Sequence, residues 1–291
     1  MTDDPFVAHR SLLFTVAYEM LGSAADAEDV VQEAWLRWAD VEHAAVHDPR
    51  AYLVRIVTRQ ALNRLRTLSR QREEYVGEWL PEPLATNPDI AEDVELAESV
   101  SMAMLTVLET LGPTERAVFV LREVFEVPYD EIAEAVGKKP AAVRQIASRA
   151  RNHVAARRPR MEVNRTEQQH VVNQFLTAIN SGDVQGLMDV LAPDVVMIAD
   201  GGGLAPAFRR PIEGMEQVAA LLSGLKRAAP DAVAATMWLN GALAVRIDRA
   251  GALDTAVSLA IEDEHITRIY AVRNPEKLAR VTEEMKLSRT D

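Results

Sequence analysis

The chain has 291 residues, of which 48% are hydrophobic, and a formal net charge of -12, so it can bury at least two cores of ordinary domain size. No apolar run approaches the roughly 20 residues that span a bilayer, and the amino-terminal sequence lacks the pattern of a signal peptide, so we expect a cytoplasmic protein with no membrane contact. The absence of cysteine excludes disulfide frameworks, thiolate zinc sites and thiol catalysis.

The first predicted element is an amphipathic helix in AEDVVQEAWLRWADV, capped by Ser23 or Asp26. Helical spacing separates an apolar face from a charged face. The apolar face contains Ala27, Val31, Ala34 and Trp38, and the charged face contains Asp26, Asp29, Glu33 and Arg37. The charged face is either presented to a partner or simply solvated, and the spacing does not decide between them.

The next element is a long helix beginning after Asp48-Pro49, and it is rich in arginine. Seven arginines lie between Asp48 and Arg72, and no acidic residue follows Asp48 in this stretch. In an acidic chain such a run indicates a polyanionic partner, because arginine neutralises phosphate and hydrogen-bonds base edges. A solvated amphipathic helix is the alternative. Most arginines and Asn63 face outward if the following residues face inward: Leu53, Ile56, Val57, Ala61, Leu62 and Leu65.

Residues 76–98 carry seven acidic residues and no basic one, and they contain three prolines that interrupt regular structure. We interpret this stretch as a flexible acidic linker. The predicted domains are therefore a helical domain at 1–75, the linker at 76–98, a second helical domain at 99–160 and a third domain at 161–291.

The second helical domain contains the spacing of a helix-turn-helix. Tyr129 to Val136 predicts a short helix, Gly137 the turn, and Pro140 the first position of a second helix. We expect Gln145, Ser148, Arg149 and Asn152 to meet base edges in a major groove. Phosphates would be met by Lys138, Lys139, Arg144 and Arg151. A helical hairpin with a polar outer face is the alternative.

These segments together resemble regions two and four of a bacterial extracytoplasmic-function (ECF) RNA polymerase sigma factor, over about the first 155 residues. The resemblance implies that the first amphipathic helix binds core RNA polymerase, that the arginine-rich helix melts and reads the minus-ten promoter element, and that the helix from Pro140 reads the minus-thirty-five element. The implied polymerase-binding residues are Asp26, Asp29, Gln32, Glu33, Trp35 and Arg37. The implied DNA-binding residues of the arginine-rich helix are Arg55, Arg59, Asn63, Arg64, Arg66 and Arg70.

Two residues depart from the family pattern. Arg59 occupies a position that is often asparagine, and Lys139 stands where a serine-like cap is usual. The first departure bears on the preferred minus-ten base. The second implies that the recognition helix is capped from elsewhere or begins more loosely.

The last domain begins with helices at 165–182 and 183–191 and continues with strands in VVMIA, TMWLN, LAVRID, AVSLAIE and ITRIYAV. Helices followed by strands predict a curved sheet wrapped over helices. This pattern is similar to the SnoaL-like fold, which encloses a cone-shaped pocket. The predicted fold class is thus multidomain: two all-α sigma domains, the second a helix-turn-helix, and an α+β SnoaL-like domain.

Three further motifs resemble those of the ECF subgroup with a SnoaL-like extension, which includes the sigma factor J type. They comprise WLPEPL (Trp79, Leu80, Pro81, Glu82, Pro83, Leu84), DGGG (Asp200, Gly201, Gly202, Gly203) and NPEK (Asn274, Pro275, Glu276, Lys277). The subgroup has NPDK, so glutamate replaces aspartate here. The resemblance implies that the extension regulates the sigma factor in cis, without a conventional anti-sigma factor.

The composition of these motifs supports a contact. Exposing Trp79, Leu80 and Leu84 would cost about 1.5–3 kcal/mol each, and three successive glycines allow close backbone approach. Packing of WLPEPL on the adjacent sigma domain alone, and a plain hairpin turn for DGGG, are the alternatives.

Catalysis by the last domain would need an acid or base in its pocket, for which Asp194, Asp200 and His265 are the candidates. None has an evident partner, so we expect no enzyme, and no cofactor is indicated. We favour an unidentified small ligand in the cone over catalysis. His43 and His47 have metal-pair spacing, but Asp48-Pro49 ends their helix, so no metal is expected. A ligand-sensing helix-turn-helix regulator and an enzyme fused to a DNA-binding segment remain as alternatives.

Overall fold

The computed structural model describes residues 4–72, 74–158 and 165–289. The first helical unit consists of α1 (Pro5–Leu21), α2 (Ala24–Ala39) and α3 (Pro49–Arg72). Asp4 caps α1 through the Phe6 amide, and Ser23 caps α2 through the Asp26 amide at 3.2 Å, as one of the two predicted caps. The tight α1–α2 connection requires Gly22, which has φ 67°. The apolar faces predicted for α2 and α3 point into the core.

The second helical unit follows α4 (Val94–Ser99) and consists of α5 (Met102–Leu108), α6 (Pro113–Phe119), α7 (Tyr129–Val136) and α8 (Pro140–Ala155). A π-helical turn, Val120–Val124, continues α6. The α7–Gly137–α8 arrangement is the predicted helix-turn-helix, with Gly137 at φ 67°. Buried side chains of both units form one continuous hydrophobic cluster, so the two units pack against each other.

The linker has more structure than its prolines predict. A 3-10 helix covers Pro88–Glu92, and α4 follows directly. The side chains of Asn87 and Asp93 accept hydrogen bonds from the Asp89 and Leu96 amides, and such caps favour helical turns at both places. One of the acidic residues that suggested a flexible linker, Asp93, is therefore a helix cap.

The C-terminal domain begins with α9 (Arg165–Ser181) and α10 (Val184–Val190). It continues with β1 (Leu191–Asp200), β2 (Ile212–Glu213), α11 (Met215–Ala228), β3 (Val233–Leu239), β4 (Ala242–Arg249), β5 (Ala252–Glu262), β6 (His265–Val272) and α12 (Pro275–Leu278). The sheet order is β2-β1-β6-β5-β4-β3, in which only the β1–β6 pair is parallel. The five predicted strands are present, whereas α11 and β2 were not predicted. Asp194, one of the candidate acid-base residues, belongs to β1, where the register shifts between Leu191 and Val196.

The two faces of this sheet have different neighbours. One face packs with α9, α10 and α11 around a domain core that includes Phe175, Val195 and Ile269. The other face buries Tyr270 and Val272 in a cluster with Leu80 of the linker and Met102 of α5. The multidomain α and α+β fold class is therefore as predicted, and the sheet itself forms part of the contact between domains. Within the described residues, no helix combines the length and apolarity needed to cross a membrane.

Glu19 is a carboxyl group within the helical core. It is fully buried on α1, its Oε1 accepts a hydrogen bond from the Ser99 hydroxyl at 2.8 Å, and its Oε2 has no partner among the described residues. Burial raises the pKa of Glu19 to about 8, although the Ser99 hydrogen bond and the charges of Arg116 and Arg289 oppose the rise.

This shift predicts a pH dependence of stability. The native state keeps the Glu19 proton up to about pH 8, whereas the unfolded state loses it near 4.5, so the free energy of unfolding should fall as pH rises through this window and level off above it. Glu19→Gln should flatten the slope and be most stabilising, relative to wild type, at the alkaline end. Denaturant unfolding at several pH values across this range measures the slope of the free energy of unfolding against pH. The exposed Glu33→Gln is the control, and an unchanged slope in Glu19→Gln would refute the assignment.

Candidate nucleic-acid interface and contact with the C-terminal domain

The face of α2 predicted to bind polymerase is largely open. Asp29, Gln32, Glu33, Trp35 and Arg37 are exposed, and Asp26 is half-buried. Trp35 keeps 47% and its neighbour Leu36 59% of their surfaces accessible. Together with α1 they border an open apolar groove. The face therefore combines carboxylates with uncovered apolar surface, as a protein-binding surface requires.

Most arginines of α3 are outward, but several already have partners. Arg59, Asn63, Arg64, Arg66 and Arg70 are exposed, and Arg55 is half-buried. The Arg64 Nε donates to Asp26 Oδ1 at 2.6 Å, so a predicted DNA-binding residue is paired with a predicted polymerase-binding residue.

Two α3 arginines contact the helix-turn-helix. Arg55 pairs with the Glu134 carboxylate at 2.9 Å, and Arg59 donates to the Glu134 carbonyl at 2.9 Å. Because Glu134 belongs to α7, part of the predicted minus-ten surface is in contact with the second helical unit. We call these two interactions the α3–α7 contact.

The outer face of the helix-turn-helix is accessible. All eight residues predicted to contact DNA here are exposed: Lys138, Lys139, Arg144, Gln145, Ser148, Arg149, Arg151 and Asn152. Lys139 is the N-cap residue of α8 but forms no side-chain capping bond, as the sequence implied. Arg151 forms a bidentate pair with Glu123 at 2.8 and 3.0 Å, so the Glu123 carboxylate orients its guanidinium.

The WLPEPL, DGGG and NPEK motifs meet at one buried carboxylate. Asp200, at the end of β1, is 0% exposed. Its carboxylate accepts from the Tyr75 hydroxyl at 2.7 Å and the Leu80 amide at 2.9 Å, and it pairs with Lys277 at 2.7 Å. Lys277 also donates to the Leu80 carbonyl. We call this set, with Asn274 whose Nδ2 donates to Tyr75 at 2.9 Å, the Asp200 hub.

Cations and aromatic rings surround the hub. The Lys277 ammonium lies 4.0 Å from the Trp79 ring centroid, and the Arg72 guanidinium lies 3.7 Å from the same ring. Burial lowers the pKa of Lys277, although Asp200 opposes that shift. Arg72 is also paired with Glu109 of the connection after α5. One cation–ring stack therefore links α3, the linker and the NPEK segment.

The glycines after Asp200 allow this approach. At Gly202, with φ 60°, an added Cβ would lie 2.3 Å from the Asn274 amide nitrogen and 2.9 Å from the Tyr75 hydroxyl. A side chain at this position would thus collide with the hub as well as strain the backbone. DGGG is therefore more than a plain hairpin turn, because its glycines lie against Tyr75 and Val76.

Glu82 of WLPEPL contacts the first helical unit. Its Oε2 accepts from the Ala24 amide at 2.8 Å and from the Ser23 hydroxyl at 3.2 Å, at the amino terminus of α2. Burial raises the pKa of Glu82, although these hydrogen bonds oppose the rise. Leu80 and Pro81 through Leu84 are buried. WLPEPL therefore packs on the sigma domain and on the C-terminal domain together, rather than on the sigma domain alone.

Asn240 is a contact residue that sequence analysis did not identify. It is 1% exposed, and its amide bonds to the Tyr18 hydroxyl at 2.7 Å, the Val100 carbonyl at 2.9 Å and the Leu84 amide at 3.0 Å. Asn240 and Gly241 form the β3–β4 turn, with φ of 51° and 73°. The Asn-Gly pair is a sequence signal for the hairpin, but it carries no information about these distant partners.

The contacts of residues 285–288 with the helical units were also not predicted from the sequence. Leu287 is buried in the helical core, the Ser288 amide donates to the Thr15 hydroxyl at 3.0 Å, and the Met285 amide donates to the Ala85 carbonyl at 2.9 Å. Residues after α12 thus return to the first helical unit. These contacts join segments about as far apart in sequence as the chain allows.

The three candidate acid-base residues lie apart from the cavity of the C-terminal domain. Asp194 and His265 are exposed, and Asp200 belongs to the hub; none lines the cavity. His43 stacks on Trp38 with ring centroids 4.2 Å apart, and it lies in a short 3-10 helix after α2 has ended. In the described ranges there is no group of three or more His, Cys, Asp or Glu side chains that could hold a metal ion.

Comparisons with known proteins agree with this architecture. Residues 6–71 match the family model for Sigma-70 region 2, and residues 101–154 match that for Sigma-70, region 4. The ECF RNA polymerase sigma factor SigJ of Mycobacterium tuberculosis is 37% identical over 287 residues, covering 94% of this chain and 91% of the relative. The probable ECF RNA polymerase sigma factor SigI of the same species is 31% identical, covering 93% and 92%.

A solved structure extends the likeness to the whole fold. The crystal structure of the Mycobacterium tuberculosis extracytoplasmic function sigma factor SigJ superposes with a TM-score of 0.78 at 34% identity, covering 95% of this chain and 98% of that chain. The regions matched by the two family models carry the α2, α3 and α8 surfaces described above. The chain therefore belongs to the ECF RNA polymerase sigma factors and carries a C-terminal α+β extension.

Proposed function

We propose that this sigma factor binds core RNA polymerase through the exposed face of α2 and promoter DNA through α3 and α8. The uncovered Trp35 and its neighbouring carboxylates support the first assignment. The exposed cations of α8 beside Gln145 and Ser148 support the second, because cations position a recognition helix on phosphates while polar side chains read base edges. Asp26, which pairs with Arg64, contributes to both surfaces.

We further propose that the C-terminal domain regulates this activity in cis, without a conventional anti-sigma factor and without catalysis. The carrying observation is the Asp200 hub, in which a fully buried carboxylate of β1 holds Tyr75 and Leu80 beside the sigma helices. The hub fixes the linker while the α3–α7 contact pairs Arg55 and Arg59 with Glu134. In this closed arrangement the two DNA-binding surfaces cannot move independently. Promoter recognition then requires core polymerase to separate them.

Electrostatics favours the same closed state. The chain has a net charge of -12, and Glu134, Asp26 and Glu123 pair with α3 and α8 arginines. Acidic side chains occupy sites that DNA phosphates would otherwise take. The free chain should therefore bind promoter DNA poorly, and core polymerase should relieve this inhibition.

Trp79→Ala tests cis regulation. Removing the ring eliminates both cation stacks, worth about 0.5–2 kcal/mol each, and so shifts the equilibrium towards the open state. We expect the rate of runoff transcription with purified core polymerase to rise by about fivefold or more, because the two stacks together are worth at least about 1 kcal/mol. Truncation after residue 160, which lies outside the described residues, should change the rate in the same direction.

Leu204→Ala is the matched control, because Leu204 follows DGGG but is 61% exposed. An unchanged or reduced rate in Trp79→Ala would reject cis inhibition. Copurification of the chain with core polymerase separates the sigma factor from a ligand-sensing repressor that shares only the helix-turn-helix.

A further inference from the structure

The C-terminal domain encloses a cavity of about 360 Å³ between its sheet and its helices. The wall is apolar and includes Phe175, Ile179, Met197, Leu222, Val257 and Ile269. These residues come from α9, α11 and three strands. A volume and lining of this kind are typical of small-molecule sites, which run from about 300 to 1,000 Å³.

Three charged side chains line one end of the cavity: Arg249, Asp254 and Arg273. Arg273 pairs with Asp254 at 3.0 Å, and Arg249 lies 4.0 Å from the same carboxylate. Burial alone would raise the pKa of Asp254, but the Thr255 hydroxyl and the two arginines outweigh it and lower that pKa. With the carboxylate ionised, two positive charges and one negative charge leave this end with a net charge of plus one.

The two arginines differ in how far their guanidinium groups are already paired. The Arg273 terminal nitrogens contact Asp254 and the Pro206 carbonyl, while its Nε is buried without a partner in the described part of the chain. The Arg249 side chain is 45% exposed, and its contact with Asp254 is at the outer limit of an ion pair. Arg249 therefore offers a guanidinium to a further anion at the cavity mouth.

We propose that this cavity binds an amphipathic carboxylate, with its apolar part among Phe175, Met197 and Ile269 and its carboxylate at Arg249. The apolar wall contributes to affinity but does not set the orientation of the bound molecule, because burial of apolar surface is non-directional. The unbalanced arginine sets the orientation, because guanidinium and carboxylate form charge-assisted, often bidentate hydrogen bonds. A cation of the same shape would meet the net positive charge and be disfavoured.

Calorimetry with the whole chain tests this site, using decanoate as the probe and decanol as its uncharged counterpart. We expect decanoate to bind more tightly than decanol. Arg249→Met should weaken decanoate binding about fivefold, as expected for a charge-assisted contact at a partly exposed site, and leave decanol unchanged. Ala229→Trp, at the lining of the cavity, should abolish binding of both.

Arg268→Met is the matched control, because Arg268 alternates with Ile269 on β6 and is exposed on the opposite face of the sheet. It removes the same charge and should leave decanoate affinity unchanged. Equal affinity for the two probes, or equal weakening by Arg268→Met and Arg249→Met, would overturn the carboxylate assignment. Absence of binding, or binding that survives in a folded Ala229→Trp chain, would overturn the site itself.

Discussion

Asp200→Leu is expected to lower the free energy of unfolding by roughly 3–5 kcal/mol, because it would leave the Lys277 ammonium buried without its counter-charge. The pair is almost wholly inaccessible, with side-chain exposures of 0% for Asp200 and 12% for Lys277. The Tyr75 hydroxyl and the Leu80 amide would also lose their acceptor. Denaturant unfolding measures the loss, and faster hydrogen exchange at the Leu80 amide would locate it.

Two variants separate the buried charge from simple packing. The double variant Asp200→Leu with Lys277→Met should recover much of the lost stability, because an apolar pair of similar volume can replace a buried ion pair. Asp248→Leu, which breaks the partly exposed pair with Arg246, should cost about 1 kcal/mol or less. If Asp200→Leu cost no more than Asp248→Leu, the hub would not hold the domains together.

Local patterns were sufficient to predict much of the sigma half. The apolar register of α2 and α3, the Gly137 turn and Pro140 each act within a few residues, and the structure has the corresponding elements at those places. The same holds for the five long strands of the C-terminal domain. Asp200 and Lys277 were identified through the resemblance to the subgroup. They are 77 residues apart, so no helical or strand periodicity could have predicted that they pair.

Local patterns could not predict contacts between residues that are far apart in the sequence. Asn240 bonds to Tyr18, 222 residues away, and Ser288 bonds to Thr15, 273 residues away. Neither residue type predicts a distant partner from sequence. The asparagine of an Asn-Gly turn is already explained by the positive φ that the turn requires. The cavity charge pair was missed for the same reason: Asp254 and Arg273 come together only when β5 and β6 pair.

The α3–α7 contact has the largest expected effect on function. If promoter recognition requires the two helical units to separate, a covalent bridge between α3 and α7 should prevent initiation. The chain contains no cysteine, so Arg55→Cys with Glu134→Cys would introduce the only thiols. These positions are joined by a salt bridge of 2.9 Å in the closed arrangement, and a short reducible bis-maleimide can bridge them.

The bridged protein carries its own control, because cleaving the cross-linker restores freedom of movement without changing the sequence. Each single-cysteine variant, treated with the same reagent, controls for modification of α3 or α7 alone. Loss of Arg55 as a DNA contact affects bridged and cleaved protein equally. Any difference between them therefore reports the opening of the two units.

Runoff transcription by this bridged chain with purified core polymerase tests the closed arrangement most directly. We predict that the bridged chain produces at least about tenfold less transcript than the same chain after cleavage, while the treated single variants are unaffected by reduction. Equal transcript from bridged and cleaved chain would show that the two units need not separate, and it would contradict control of promoter access by the C-terminal domain.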